Sequence, residues 1–160
     1  MVDLNTIHSL LEYDREAGAF HWRVKVNSRS HVGARADHPM KIGYRRISIG
    51  GVKYYAHRIA WLIVHGAEPL NGIDHINGNR GDNRILNLRD VTQAINTQNT
   101  HIASRANSTG LIGVSRFRGK FKAEIRIDGR KRYLGTFAEP EDAHQAYLAA
   151  KRRHHAGCTI

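Results

Sequence analysis

Asp74-His75-Ile76-Asn77-Gly78-Asn79, followed by Asn87-Leu88-Arg89 and then by Asn96 and Asn99, is the stretch whose reading decides the fold. Residues 73–76 read as a short strand, and residues 77–83 (Asn-Gly-Asn-Arg-Gly-Asp-Asn) form a loop of turn residues. Residues 85–88 supply a returning strand and 91–99 a helix, giving a strand, loop, strand, helix unit. An Asp beside a His can divide two tasks on a phosphodiester. A neutral imidazole, with a pKa near ~6.5, takes a proton from water. A hard divalent cation keeps several waters and needs only one or two protein oxygens, which Asp74 and the side chain of Asn96 can offer. Adjacent strand residues point to opposite faces, so either the backbone bends at Asp74-His75 or the phosphate reaches between them.

Upstream, Leu4, Ile7, Leu10 and Leu11 recur at helical spacing over residues 4–12, with Asn5 or Thr6 as a cap. Phe20, Trp22, Val24 and Val26 alternate as a strand after a turn at Ala17-Gly18. Residues 27–41 read as loop, and 44–49 and 52–56 flank the hairpin signal Gly50-Gly51. A helix from about Arg58 to His65 then ends at Gly66. Downstream, residues 100–110 have linker composition. Strand candidates follow at 111–117, 120–127 and 131–137, separated by Arg118-Gly119 and Asp128-Gly129. Pro140 opens a helix with Glu139, Glu141 and Asp142 at its start and Lys151, Arg152 and Arg153 near its end, as the helix dipole favours. No internal repeat is visible. The expected class is α+β: a domain over 1–100 with its core at about 73–99, a linker over 101–110, and a small domain over 111–160.

The 160 residues carry a formal charge of +11, and the isoelectric point is near 10.3. Residues 1–66 are net +5, 67–100 net −1 and 101–160 net +7. A near-neutral centre between basic flanks suits a polyanion gripped at both ends, with a cation held in the middle. A membrane surface is the competing polyanion. No apolar run approaches the ~20 residues of a bilayer span, no basic amphipathic helix stands out, and residues 1–20 lack a signal-peptide core. One cysteine, Cys158, excludes disulfide frameworks and Cys-rich zinc knuckles. Mean hydropathy is −0.51. The chain reads as soluble and cytoplasmic, with no obligate protein partner evident.

Tyr55-Ala56-His57-Arg58, Asp74-His75-Ile76-Asn77-Gly78, Asp82-Asn83-Arg84, Asn87-Leu88-Arg89, Asn96 and Asn99 together resemble the phage-type HNH endonucleases. The likeness extends upstream through Tyr13-Asp14-Arg15-Glu16-Ala17-Gly18 and Gly43-Tyr44, and so covers about residues 10–100. It implies a ββα-metal fold of two strands and a helix around one cation. On matching positions it implies His75 as general base, Asp74 and Asn96 as metal ligands, and Asn87 as the amide that orients the base. Asn stands at the last ligand, where wider relatives have His, which favours Mg²⁺ or Mn²⁺ over Zn²⁺. Asn77, Asn79 and Asn83 read as turn residues, while Asn99 shares the helical face of Asn96. His57 reads as a packing or capping residue, with a secondary claim on the site.

Residues 111–157 resemble the plant APETALA/ethylene-response-factor DNA-binding domain, through Gly113-Val114, Phe121-Lys122-Ala123-Glu124-Ile125, Leu134-Gly135-Thr136-Phe137, Glu141-Asp142-Ala143, Ala146-Tyr147 and Gly157. That implies a three-stranded sheet in the major groove backed by a helix, with Phe121 where the plant domains usually have Trp. Arg116, Arg118, Lys120, Lys122, Arg126, Arg130 and Arg132 are the candidate DNA contacts. The whole reads as a metal-dependent, site-directed endonuclease of the phage homing kind, in the host cytoplasm. It would act on double-stranded DNA, leave 5′-phosphate and 3′-hydroxyl ends, and nick as a monomer. The rival reading is a non-catalytic DNA-binding regulator on a degenerate nuclease fold.

Overall fold

The computed structural model describes residues 2–28 and 30–160. The chain is α+β, with small antiparallel sheets and helices, and divides into two compact units, Met1–Thr92 and Gln93–Ile160.

The first unit opens with α1 (Leu4–Leu10). Asp3 caps it, its carboxylate accepting from the Thr6 N–H at 2.9 Å. The helix stops at Leu10, short of the expected 12, because Leu11–Asp14 turns extended as β1 and pairs with β2 (Ala19–Trp22). The Asp14 side chain makes the turn between them by accepting from the N–H groups of Glu16 and Ala17, both at 2.9 Å. β2 ends at Trp22, so Val24 and Val26 lie outside it and are exposed. Within the expected loop 27–41 lies β3 (Asp37–Pro39), which pairs with β4 (Arg45–Ile49). Asp37 explains it. Burial works against its charge, but ion pairs from Arg35 and Arg45 and the Phe20 N–H hold its pKa below the usual carboxylate value. Position 29 of that expected loop lies outside the described residues.

β4 and β5 (Val52–Tyr55) form the Gly50-Gly51 hairpin, both glycines lying at positive φ (57° and 82°). α2 (Ala56–His65) follows at once and ends at Gly66, which adopts the left-handed conformation with φ 71°. Its buried face, Ala56, Ile59, Ala60 and Leu62, joins Ile7, Leu11, Phe20, Trp22, Ile47, Ile73 and Leu88 in one core. β6 (Gly72–His75) and β7 (Leu88–Val91) make a short antiparallel ribbon above that core, preceded by a 3₁₀ turn over Ile85–Asn87. The returning strand was expected at 85–88 and begins three residues later. Ile85 and Asn87 are held inward by the core and the loop, which curls that segment into a turn before pairing starts.

The second unit begins with α3 (Gln93–Gln98), shorter than the expected 91–99. β8 (Val114–Phe117), β9 (Lys120–Ile127) and β10 (Arg130–Phe137) form an antiparallel sheet in the order β10-β9-β8, and α4 (Pro140–His154) packs across it. Arg118-Gly119 and Asp128-Gly129 make the two turns with positive φ at all four positions. Val114, Ala123 and Ala143 centre its core with Phe121, Leu134, Phe137 and Ala146 around them. Gly113 is fixed by a close approach. It sits at φ 77°, and a Cβ there would overlap the Tyr147 ring of α4. Segment 100–110 is tied down despite its linker composition. The Asn107 amide donates to the carbonyls of Leu111 (2.9 Å) and Val114 (3.1 Å), and the buried Lys151 ammonium donates to Thr100 O.

Candidate functional site

β6 carries Asp74 and His75 on consecutive, regularly paired positions, opposite Arg89 and Leu88. The ribbon does not bend, so the two side chains leave on opposite faces. Both are buried, at 6% and 4% exposure. On one face Arg89 reaches across the ribbon and donates to Asp74 Oδ2 through Nε (2.9 Å) and a terminal nitrogen (2.7 Å). On the other face His75 meets Asn83, its Nε2 lying 3.3 Å from Asn83 Oδ1. The His57 and Tyr44 rings flank it at centroid distances of 5.2 and 5.8 Å. Burial pushes the His75 pKa below its ordinary value, against the opposing effects of Asn83 and of Asp74 and Asp82. The ring is therefore neutral at pH 7, the form a general base requires.

The amide that meets the His75 ring is Asn83, where the motif resemblance pointed to Asn87. The Asn87 side chain serves the loop: its Oδ1 accepts from the Asn77 N–H (2.9 Å) and its Nδ2 donates to the Asp82 carbonyl (2.8 Å). Asn87 thus closes the base of the 77–83 loop, and Asn83, fully buried inside that loop, touches the imidazole. Asn77 and Asn79 are turn formers as expected, accepting from the N–H groups of Asn79 and Gly81. Asp82 pairs with Arg84 and accepts from Asn77 Nδ2, and the Arg84 bond chiefly holds its pKa down to about 2.

The loop is clamped from upstream. Tyr13 on β1 donates its hydroxyl to the Asn83 carbonyl at 2.6 Å. Gly18, at φ 64°, lies so close to Asn83 and Arg84 that a Cβ would strike their backbone. The Tyr13–Gly18 segment that shares the motif resemblance is therefore the brace of the Asn83 loop. Next to it, Arg80 lies over the Tyr44 ring at 5.1 Å and donates to Ile42 O at 3.3 Å.

His57, at the start of α2, packs rather than caps, since α2 has no side-chain cap bond. It is buried between Tyr55 (5.3 Å, stacked) and Tyr44 (5.2 Å), edge-on to His75. Burial, then the neighbouring His75 and Arg58, push its pKa down to about 3.

Asn96 and Asn99 belong to the second unit: Asn96 to α3, and the buried Asn99 just beyond it, where its Oδ1 meets Thr159 Oγ1 and His101 Nε2. Among the described residues no group of three His, Cys, Asp or Glu side chains converges as a metal cluster. A hard cation takes carboxylate oxygens and keeps most of its waters; Asp74 offers such a carboxylate, with its Oδ2 held by Arg89.

In the second unit, register divides the seven candidate basic residues. Lys120, Lys122 and Arg126 alternate with the helix-covered Phe121, Ala123 and Ile125, and so occupy the sheet face away from α4. Lys131 and Tyr133, opposite Arg126 and Glu124, share that face and escaped the sequence reading. Arg116, Arg130 and Arg132 pair with Phe121, Ile127 and Ile125, so they start from the helix side and are exposed at its margins. Arg118 sits in the first turn, over the Phe117 ring. Strand alternation could have found Lys131. No simple signal marks Asn83 apart from its turn neighbours.

Comparison with curated proteins and with solved structures returns no match. Residues 54–98, however, which run from within β5 to the end of α3 and include Asp74, His75, Asn83 and Asn87, match the family model described as HNH endonuclease.

Proposed function

We propose that the protein is a metal-dependent, site-directed DNA endonuclease of the phage homing type, with His75 as its general base. The observation that carries this reading is the neutral, buried His75 held by Asn83 and placed next in sequence to a buried carboxylate, inside the segment that matches the nuclease family. Asn83 fixes the imidazole plane, so that one ring nitrogen stays directed while the other takes the proton of the attacking water. Tyr13, Gly18 and Asn87 keep Asn83 in place. Arg89 pairs with Asp74 and orients its carboxylate. Because Asp74 and His75 leave opposite faces of the ribbon, the scissile phosphate lies across the ribbon's end, where both can address it.

Asp74, with Asn96 assigned from motif resemblance, would hold one Mg²⁺ or Mn²⁺, which supplies charge neutralisation at the phosphate and the departing 3′ oxygen. The products are then 5′-phosphate and 3′-hydroxyl ends. One catalytic centre per chain nicks one strand.

The second unit serves this reading as the DNA-gripping part. A three-stranded sheet with Lys120, Lys122, Arg126 and Lys131 on its open face has the shape and charge for a duplex groove. The regulator reading keeps this part and drops the chemistry.

Supercoiled plasmid incubated with Mg²⁺ or Mn²⁺, with and without chelator, decides between them. Chelator-sensitive nicking by the wild type and its loss in His75→Ala support the nuclease. Tight DNA binding with no nicking in either metal supports the regulator.

A further inference from the structure

His57 is an expensive residue to place in the middle of an aromatic cage. Tyr55, Tyr44 and His75 surround its ring at 5.2–5.3 Å. A Phe would fill that space without burying a polar atom. The imidazole is instead 8% exposed, and its Nδ1 is buried with no hydrogen-bond partner. A buried polar atom left unsatisfied costs ~1–3 kcal/mol, and unpaired groups of this kind call for a functional explanation.

The two ring nitrogens differ. Nδ1 is sealed in, whereas Nε2 has no protein hydrogen-bond partner and is not among the fully buried unpartnered atoms. A neutral imidazole has one N–H, whose position follows from what each nitrogen meets. A hydrogen on Nδ1 would be a buried donor with nothing to accept it. A hydrogen on Nε2 is a donor at the accessible edge of the ring, one ring away from His75. The low pKa of His57 means that this donor is uncharged, so it does not compete with the base for a proton.

We propose that His57, as the Nε2–H tautomer, donates a hydrogen bond to a non-bridging oxygen of the phosphate that His75 addresses. The role rests on the nuclease reading above, and it makes His57 a substrate-binding residue of the same site rather than a packing residue. A fixed neutral donor aimed where negative charge accumulates is a recognised means of stabilising a phosphoryl or acyl transition state, and losing one such donor costs about 10²–10³-fold in rate.

The test uses the full chain with His57→Phe, which keeps the cage and removes the donor, and His57→Gln, which returns an N–H near the Nε2 position. Plasmid nicking in Mn²⁺ under single-turnover conditions is expected to fall about 10²-fold in His57→Phe and to recover in part in His57→Gln. The thermal midpoint of His57→Phe should not fall below that of wild type, because the variant removes an unsatisfied buried atom, so a lost rate is not a loss of fold. Independently, ¹⁵N-labelled wild-type protein is expected to show the Nε2–H pattern for His57 and a shift of that signal when dimethyl phosphate is added. Nicking by His57→Phe at the wild-type rate, or an Nδ1–H tautomer, overturns the proposal. Wild-type protein that nicks nothing while His57 shows the expected tautomer and phosphate shift would overturn the nuclease reading and leave the phosphate contact standing.

Discussion

The 72–91 ribbon of the first unit and the 114–137 sheet of the second are both short antiparallel structures rich in polar residues, yet they treat them oppositely. In the ribbon, Asp74, His75, Asn83 and Asn87 are buried and each is engaged by the surrounding protein. In the sheet the basic residues crowd the surface, and Lys122 with Glu124 is the single ion pair among those described there. The first arrangement fixes geometry and the second keeps charge available. Catalysis needs groups held to a fraction of an ångström, whereas attraction to a phosphate backbone needs only charge facing water. The same residue types are thus put to different uses by burial.

That contrast can be broken at several points, the largest effect first. His75→Ala should cut the nicking rate by about 10²–10⁴-fold, the usual scale for a lost general base, while DNA affinity in chelator, read by anisotropy, is unchanged. A variant that nicks at the wild-type rate would dismiss His75.

Asn83→Ala comes next. It frees a buried imidazole nitrogen and should cost ~1–3 kcal/mol of stability, read by denaturant unfolding, together with a clear drop in rate. Asn87→Ala should loosen the 77–83 loop as a whole, so the two variants share a stability loss, but Asn83→Ala should lose more rate per unit of stability lost.

Gly18→Ala and Gly113→Ala test whether the two regions stand on their own packing. The first drives a methyl into the backbone of the Asn83 loop and the second into the Tyr147 ring, both at positive φ. Gly18→Ala should depress nicking more than DNA binding, and Gly113→Ala the reverse.

Acid should act on the first unit through its histidines. His57 and His75 have folded-state pKa values below their unfolded ones, so the unfolded chain takes up protons first as pH falls. The neutral forms contribute stability that is intact above the unfolded pKa, near ~6.5. It is lost progressively as pH descends toward about 3, the folded value for His57. Thermal midpoints should fall over that window, and His57→Phe should flatten the slope.

The smallest expected effects are in the sheet. Arg126→Ala and Lys131→Ala should each weaken DNA binding modestly and reduce the salt dependence by about one counterion if the contact is to phosphate. A change in sequence preference without a change in salt slope would mark a base contact instead.

The motif residues, the hairpin at Gly50-Gly51, the α2 stop at Gly66 and the sheet with its covering helix were legible because each depends on local chemistry. Turn residues sit where φ must be positive, and apolar residues recur at the period of their element. β1 and β3 were hidden, because β1 continues a helical apolar pattern and β3 exists through the Asp37 ion pairs with Arg35 and Arg45 and its bond from the Phe20 N–H, which a loop-like composition does not announce.

The sequence by itself determined which residue types the site contains and that the chain carrying them is strongly basic. Only the tertiary structure decided that Asn83 rather than Asn87 touches His75, that His57 shares its cage, and that Asp74 and His75 face opposite ways on an unbent ribbon. It also sorted the basic residues onto two faces of the sheet. The reason is that one asparagine in a turn-rich loop looks like the next until the loop closes. Tyr13 and Gly18, some seventy residues earlier in the chain, are what close it, and no local pattern records so distant a contact.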